Sequence, residues 1–445
     1  MFLFLAGMIP ELSRAGTDPA KPICGGTMRG LYKLAQSLLS RLFVLTASAL
    51  LMAGATAQAA EPIKIGFGVS LTGGLASSGK AHLLGMQIWA EEVNAKGGLL
   101  GRPVQIIYYD DQTNAANVPA IYAKLLDVDK VDLLVGHATN LIVAALPMII
   151  ERKKMVMTLL AYASNAKLKY PRYFQSAPFG GDYGEISKNF FEVAKTIKPE
   201  PKTVALVGAD AEFSNNVLTG ARANAPKYNL KIVYDRLYPP STLDFAPIVR
   251  AVAATNPDIV LVASYPIDSV GMVRAATEIG LKTSLFGGAM VGMQYASFLG
   301  QLSEKLNRVV NYHLYVPSPT LNFPGIESFL KKYQARAPGA GTDPLGFYQP
   351  PFAYAAMQVL EQAITATAGV DDDRLAQYIH KNPFQTIVGE IRFDESGEWA
   401  TPRLLVVQFQ NVHGNGLEQY LTGGRQVVVY PQQYKSGDLQ YPFSK

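Results

Sequence analysis

The stretch IKIGFGVSLTGGLASSGKAHLLGMQIWAEEVNAKGGLLGRPVQIIYYDD, residues 63 to 111, decides the fold. Ile63 to Ser70 is a short apolar, β-rich run, and Gly73 to Gly79 reads as a loop. His82 to Lys96 then carries a helical pattern that Gly97-Gly98 stops, before a second β-run from Val104 to Asp110. Further strand candidates follow at Val131 to Gly136, Met155 to Leu160, Thr203 to Val207, Lys231 to Tyr238, Asp258 to Ala263, Ser284 to Gly287 and Val309 to Tyr315. Apolar strands alternating with amphipathic helices predict α/β architecture with parallel sheets covered on both faces, wound right-handedly into Rossmann-like lobes.

Periodicity breaks at Pro178 to Asp182, again at Val316-Pro317-Ser318-Pro319, and a third time at Val388-Gly389, before strand candidates Glu390 to Phe393 and Leu404 to Gln410. Two lobes joined by three hinge crossings are therefore expected. Residues 60–181 and 317–388 would form the first lobe, and residues 182–316 and 389–445 the second. The C-terminal run from Gln426 is aromatic and extended, and is expected to pack on the surface of a lobe.

Upstream, Met28 opens a basic leader with Arg29, Lys33 and Arg41, then an apolar core from Leu42 to Met52 and a small-residue Ala57-Gln58-Ala59 site. That order predicts an export signal cut near Ala59, too short in its apolar part for a bilayer span of roughly 20 residues. Residues 1 to 27 read as an extension ahead of a start at Met28. Residues 1–59 hold five of the basic and two of the acidic residues, so the remaining 386 carry 35 and 33 and a net charge near +2. Such a balance gives no electrostatic case for nucleic acid or a polybasic membrane contact. The single cysteine, Cys24, precedes the cut, so the exported chain needs no disulfide; its size supplies the core.

Enzyme signatures are missing: there is no G-x-x-x-x-G-K-[ST], H-E-x-x-H or G-x-S-x-G, and Leu71 stands where a dinucleotide loop begun by Gly66 and Gly68 needs its third glycine. The histidines at 82, 137, 313, 380 and 413 show no metal-ligand spacing. Asp371-Asp372-Asp373 lacks the alternation of a calcium loop and reads as the cap of a helix beginning near Arg374. No cofactor and no metal is expected.

The blocks IKIGFGVSLTG (63–73), NAKGGLLGRPVQIIYYDDQ (94–112), LLVGH (133–137) and AATEIGLKTSLFGG (275–288) resemble the leucine/isoleucine/valine-binding proteins of bacterial ABC importers. The resemblance spans about Ile63 to Gly414. It implies a type I periplasmic binding fold, a small-molecule ligand in the cleft between the lobes, no catalysis, a monomer in the periplasm, and an ABC permease with its ATPase subunits as partner. A ligand sensor docking a chemoreceptor or sensor kinase is the alternative use of the same fold.

The resemblance also implies site positions. One wall would carry Ser77, Ser78, Thr139, Asn140, Ala161, Ala163 and Ser164, and the other Phe213, Tyr265, Ala289 and Met290. Tyr348 and Gln349, ahead of a helix starting at Pro350-Pro351, stand where they could also reach the cleft. The family holds the α-ammonium of its amino acid with an acid placed just after F-G-G, and here that position is Ala289. A buried ammonium without a counter-charge costs several kcal/mol. Either Asp182, Glu212 or Asp268 takes over, or the ligand is an aromatic or apolar carboxylate or amide without an α-ammonium.

Overall fold

Residues 60–444 are described by the computed structural model. The proposed leader, its cleavage site and Cys24 lie outside the described residues. β1 (Ile63–Val69), β2 (Val104–Asp110), β3 (Leu133–Ala138), β4 (Val156–Leu160) and β5 (Tyr173–Gln175) form one all-parallel sheet in the order β2-β1-β3-β4-β5. Ile63, Ile65, Phe67 and Val69 of β1 are wholly buried, as the continuous apolar run predicts for a central strand. β2 is at the edge and leaves Tyr108 exposed.

The second sheet contains β6 (Thr203–Ala209), β7 (Lys231–Tyr238), β8 (Ile259–Ser264), β9 (Leu285–Met290) and β10 (Val310–His313), all parallel to one another. A separate hairpin, β11 (Phe384–Thr386) and β12 (Gly389–Ile391), precedes β13 (Leu405–Phe409) and β14 (Gln426–Tyr430). β13 and β14 complete the second sheet, whose order is β14-β13-β10-β9-β8-β6-β7. Both run antiparallel to their neighbours, which corrects the expectation of purely parallel sheets. The C-terminal run is thus an edge strand followed by an anchor, Phe443, packed 4.8 Å from the Phe286 ring.

The helix after β1 runs Ala76–Ala95, beginning six residues before the predicted His82. Serines and glycine at its start read as loop, but tertiary contact overrides that preference. Gly79 packs on the end of β1 so closely that a Cβ would stand 1.9 Å from the Ser70 carbonyl oxygen. This fixes the depth at which Ser78 is held. β5 escaped sequence reading because three residues carry too little periodicity, although all three are buried.

The chain passes from the first sheet to the second between β5 and the helix Glu185–Ala194. After β10 it returns, and the helices Ile326–Ala340 and Pro350–Thr367 pack on Ala76–Ala95. Residues 389 to 399 stay with the first sheet: β12 pairs with β11, and the Gly397 carbonyl accepts from the Gln175 N–H at 2.8 Å. The second sheet is rejoined only at Leu404, whose carbonyl accepts from Asn189 Nδ2 at 3.0 Å. The expected boundary at 388/389 therefore falls about a dozen residues too early, because the second strand of the short hairpin reads as second-lobe strand when only periodicity is available. Among the described residues no helix is long and apolar enough to cross a membrane.

Asp371 caps the helix Asp372–Lys381, accepting from the Arg374 N–H at 2.9 Å, in accord with the cap reading of the aspartate triplet. Asp371→Ala should lower unfolding stability by about 1 kcal/mol in urea denaturation. No change would mean that the Lys154–Asp372 ion pair holds this helix end without the cap.

Candidate functional site

The carboxyl ends of the parallel strands in the two sheets face each other, and the loops and helix starts that follow them enclose a small cavity. This is the crevice where open α/β sheets place ligands. From the first sheet come Ser78, Ala138, Thr139, Asn140, Leu160 and Tyr162; from the second come Phe213, Tyr265, Val291, Tyr295 and Tyr312. Leu75, Phe179 and Gln349 close the remainder. The open volume is only about 30 Å³, near the space of a single water.

The two walls hydrogen-bond directly. Asn140 is the second residue of the helix Thr139–Glu151 in the first lobe, and its Oδ1 accepts from Tyr265 Oη at 2.7 Å and from the Phe213 N–H at 3.3 Å. Asn216 Nδ2 donates to the Tyr162 carbonyl at 3.0 Å. Tyr312 and Tyr348 share a hydroxyl–hydroxyl hydrogen bond. Asp343, 8% exposed, accepts from the N–H groups of Ala296 at 2.7 Å and Gly346 at 2.9 Å, and burial pushes its carboxyl up to about 6. Phe213 sits among aromatic rings, with Tyr162 at 6.0 Å and Tyr265 and Tyr312 each at 6.2 Å, largely in the edge-to-face geometry such pairs favour.

One polar chain has a direction. Ser78 Oγ lies 2.9 Å from His137 Nε2, and His137 Nδ1 is buried with no partner. A buried unpaired N–H is rarer than an unpaired lone pair, which favours the tautomer whose Nε2–H donates to Ser78. The Ser78 proton is then free to donate onward, towards the neighbouring Tyr295 hydroxyl or the cavity. Tyr295 Oη in turn donates to Gln349 Oε1 at 3.1 Å. That contact orients the Gln349 amide so that Nε2, also buried with no partner, is an unspent donor in a residue lining the cavity. Burial holds His137 neutral, its pKa down to about 3, and depresses His82 beside it, whose ring centroid is 5.2 Å away.

Of the residues expected from sequence, Ser78, Thr139, Asn140, Phe213 and Tyr265 meet at this cavity. Gln349 joins them; Tyr348 stands one layer behind. Ser77, Ala161, Ala163 and Ser164 do not line it, and Tyr162 does so in their place. Ala289 and Met290 are wholly buried in β9. Asn311 clamps the end of that strand, accepting from the Met290 N–H at 2.8 Å and donating to its carbonyl at 3.0 Å. The wall therefore begins one residue later, at Val291. Among the alternative acids, Asp182 and Glu212 are exposed to solvent. Asp268 is buried but lines a neighbouring cavity instead. Phe179, Val291, Tyr295 and Tyr312 were missed, because residues that reach a cleft from strand ends and crossings carry no local signature.

Among the described residues the cavity is thus lined by apolar groups, hydroxyls and two amides, without an acidic or basic side chain. Residues 62–415 match the sequence model of the periplasmic binding protein family. The Leu/Ile/Val-binding protein of Escherichia coli K12 is 24% identical over 359 residues, covering 80% of this chain and 92% of that protein. The structure of a leucine-binding protein from Thermotoga maritima superposes with a TM-score of 0.65 at 20% identity, covering 78% of this chain and 96% of the other. An ABC-transporter solute-binding protein from Rhodopseudomonas palustris HaA2, solved in complex with p-hydroxybenzoic acid, gives 0.67 at 21%, covering 80% and 94%. With two facing α/β sheets, a cleft between their carboxyl ends and a match over residues 62–415, the chain belongs to the periplasmic binding protein family.

Proposed function

We propose that this protein is an exported receptor that closes its two lobes over a small aromatic or apolar carboxylate and hands it to an ABC permease with its ATPase subunits. In this reading the first lobe is residues 60 to about 178 with 317 to about 400, and the second is the remainder of the chain after the cut near Ala59. It acts as a monomer, by binding and not by catalysis.

The observation that carries the ligand class is the neutral lining. An α-ammonium buried there would meet hydroxyls and rings but no carboxylate, at a cost of several kcal/mol. A carboxylate fares better. Gln349 Nε2 is an unpaired buried donor, Ser78 has a hydroxyl proton to give, and the starts of the helices Thr139–Glu151 and Pro350–Thr367 contribute positive dipole ends. Tyr162, Phe179, Phe213 and Tyr312 then enclose an apolar or aromatic body. The p-hydroxybenzoic acid in the Rhodopseudomonas palustris structure supports the same class.

The deciding experiment is calorimetric titration of the ligand-stripped mature chain with benzoates, short aliphatic carboxylates and branched-chain amino acids. Binding of carboxylates with leucine at least a thousandfold weaker is expected; leucine binding at micromolar level would overturn the reading. Gln349→Ala should weaken carboxylate binding roughly 10- to 100-fold, the loss of one hydrogen bond to a charged group. Tyr265→Ala should weaken it strongly with the melting cooperativity retained. Affinity should also be flat from about pH 7 to 8, because His82 and His137 are neutral there with and without ligand and the Asp343 carboxyl, raised to about 6, is already ionised. A slope within that window would show that one of these imidazoles titrates.

A further inference from the structure

Outside the Asn140–Tyr265 contact lies a second cavity of about 290 Å³ that shares Leu75, Asn140 and Tyr265 with the inner one. The shared hydrogen bond is a partition between two compartments of opposite character. Among the described residues the inner one has no charged side chain, and the outer one has a single such residue, Asp268. Asp268 is 8% exposed and is held by Tyr238 Oη at 3.1 Å, yet among the described residues no lysine or arginine forms an ion pair with it. Pro240, Pro266 and Ile267 flank it, and Ile267 is 65% exposed in spite of its apolar side chain. On the partition, Asn140 Oδ1 is spent on Tyr265 and Phe213, whereas its amide nitrogen donates to no group among the described residues.

We propose that the outer cavity is a second subsite, and that the preferred solute is an elongated carboxylate whose far end bears an ammonium group held by Asp268. The inference rests on the carboxylate reading of the inner cavity and adds the chemistry of the other end. A buried carboxylate without a cation is costly, and a ligand ammonium placed between apolar flanks supplies the missing charge. The partition sets the spacing. The charge-free inner cavity separates Gln349 from Asp268, so an α-amino acid, whose two charges sit on adjacent atoms, cannot satisfy both. An ω-amino carboxylate with an aromatic or extended body can, after displacing the Tyr265–Asn140 bond and using the Asn140 amide nitrogen as a donor along its path.

The test compares 4-methylbenzoate with 4-(aminomethyl)benzoate, which differ by the terminal ammonium group, by titration calorimetry at pH 7 on the mature chain and on Asp268→Asn. The aminomethyl compound should bind the unmodified protein at least tenfold more tightly. Asp268→Asn should remove that preference and leave 4-methylbenzoate within about twofold. Equal binding of the two compounds, or a preference that survives Asp268→Asn, would overturn the subsite. Should the variant fail to fold, 4-(hydroxymethyl)benzoate on the unmodified protein replaces it, and binding as tight as the ammonium compound would sink the charge-pairing argument. Failure of 4-methylbenzoate and its relatives to bind at all would refute the inner carboxylate reading, whereas their binding without an ammonium preference refutes the outer subsite alone.

Discussion

Pairing of polar groups across a tightly closed cleft is the constraint on which the rest of this structure depends. Where the two sheets meet, Asn140, Tyr265, Phe213, Asn216, Tyr162, Asp343 and Ala296 satisfy one another across the gap. Each such group would cost about 1–3 kcal/mol if buried unpaired. The lobes can therefore face each other closely only in the register that makes these bonds. Among the residues lining the inner cavity, Gln349 Nε2 is the buried side-chain atom left without a partner. The groups are bonded to the protein everywhere except where a solute's acceptor would complete them.

The same accounting bears on charge. Sequence alone left two outcomes open once Ala289 stood in the place of an acid: a substitute acid, or a ligand without an α-ammonium. Asp182 and Glu212 are solvent-exposed, and Asp268 faces the outer compartment. Among the described residues no acid lines the inner cavity, so the geometry favours the second outcome there and displaces any recognition of a cation outward by the width of the partition. The imidazoles behind Ser78 add no charge either, since burial keeps them neutral.

Much of this was legible in the chain, and the limits have physical causes. The central strands declared themselves because both of their faces are buried, as in β1, and the aspartate triplet because a cap acts on its own helix end. Ser78, Thr139, Asn140, Phe213 and Tyr265 were found because they follow strand ends, where α/β folds gather ligand contacts. Ala289 and Met290 were misplaced by one or two residues for a non-local reason: Asn311, on the adjoining strand, decides where β9 stops and the wall begins. Tyr295, Tyr312 and Phe179 reach the cleft from strand ends and crossings, and nothing in their immediate neighbours marks them. The expected boundary at 388/389 cuts the hairpin between β11 and β12, because three-residue strands carry no information about which sheet they accompany.

The size of the inner cavity constrains how closure is driven. With about 30 Å³ open, the arrangement seen here is already closed on itself, and a benzoate-sized body requires the walls to part. Each net cross-cleft hydrogen bond is worth about 0.5–1.5 kcal/mol, so the contacts among Asn140, Tyr265 and Phe213 bias the ligand-free protein modestly towards closure. A solute can shift that balance only through contacts that it makes better in one state than in the other. Filling the aromatic chamber and satisfying Gln349 does so for the closed state, while wedging Tyr265 away from Asn140 works against it. A ligand confined to the inner chamber must therefore fit beneath the partition. One that crosses it has to replace the displaced bond with contacts of its own, and Asp268 and the Asn140 amide nitrogen are the groups in position to provide them.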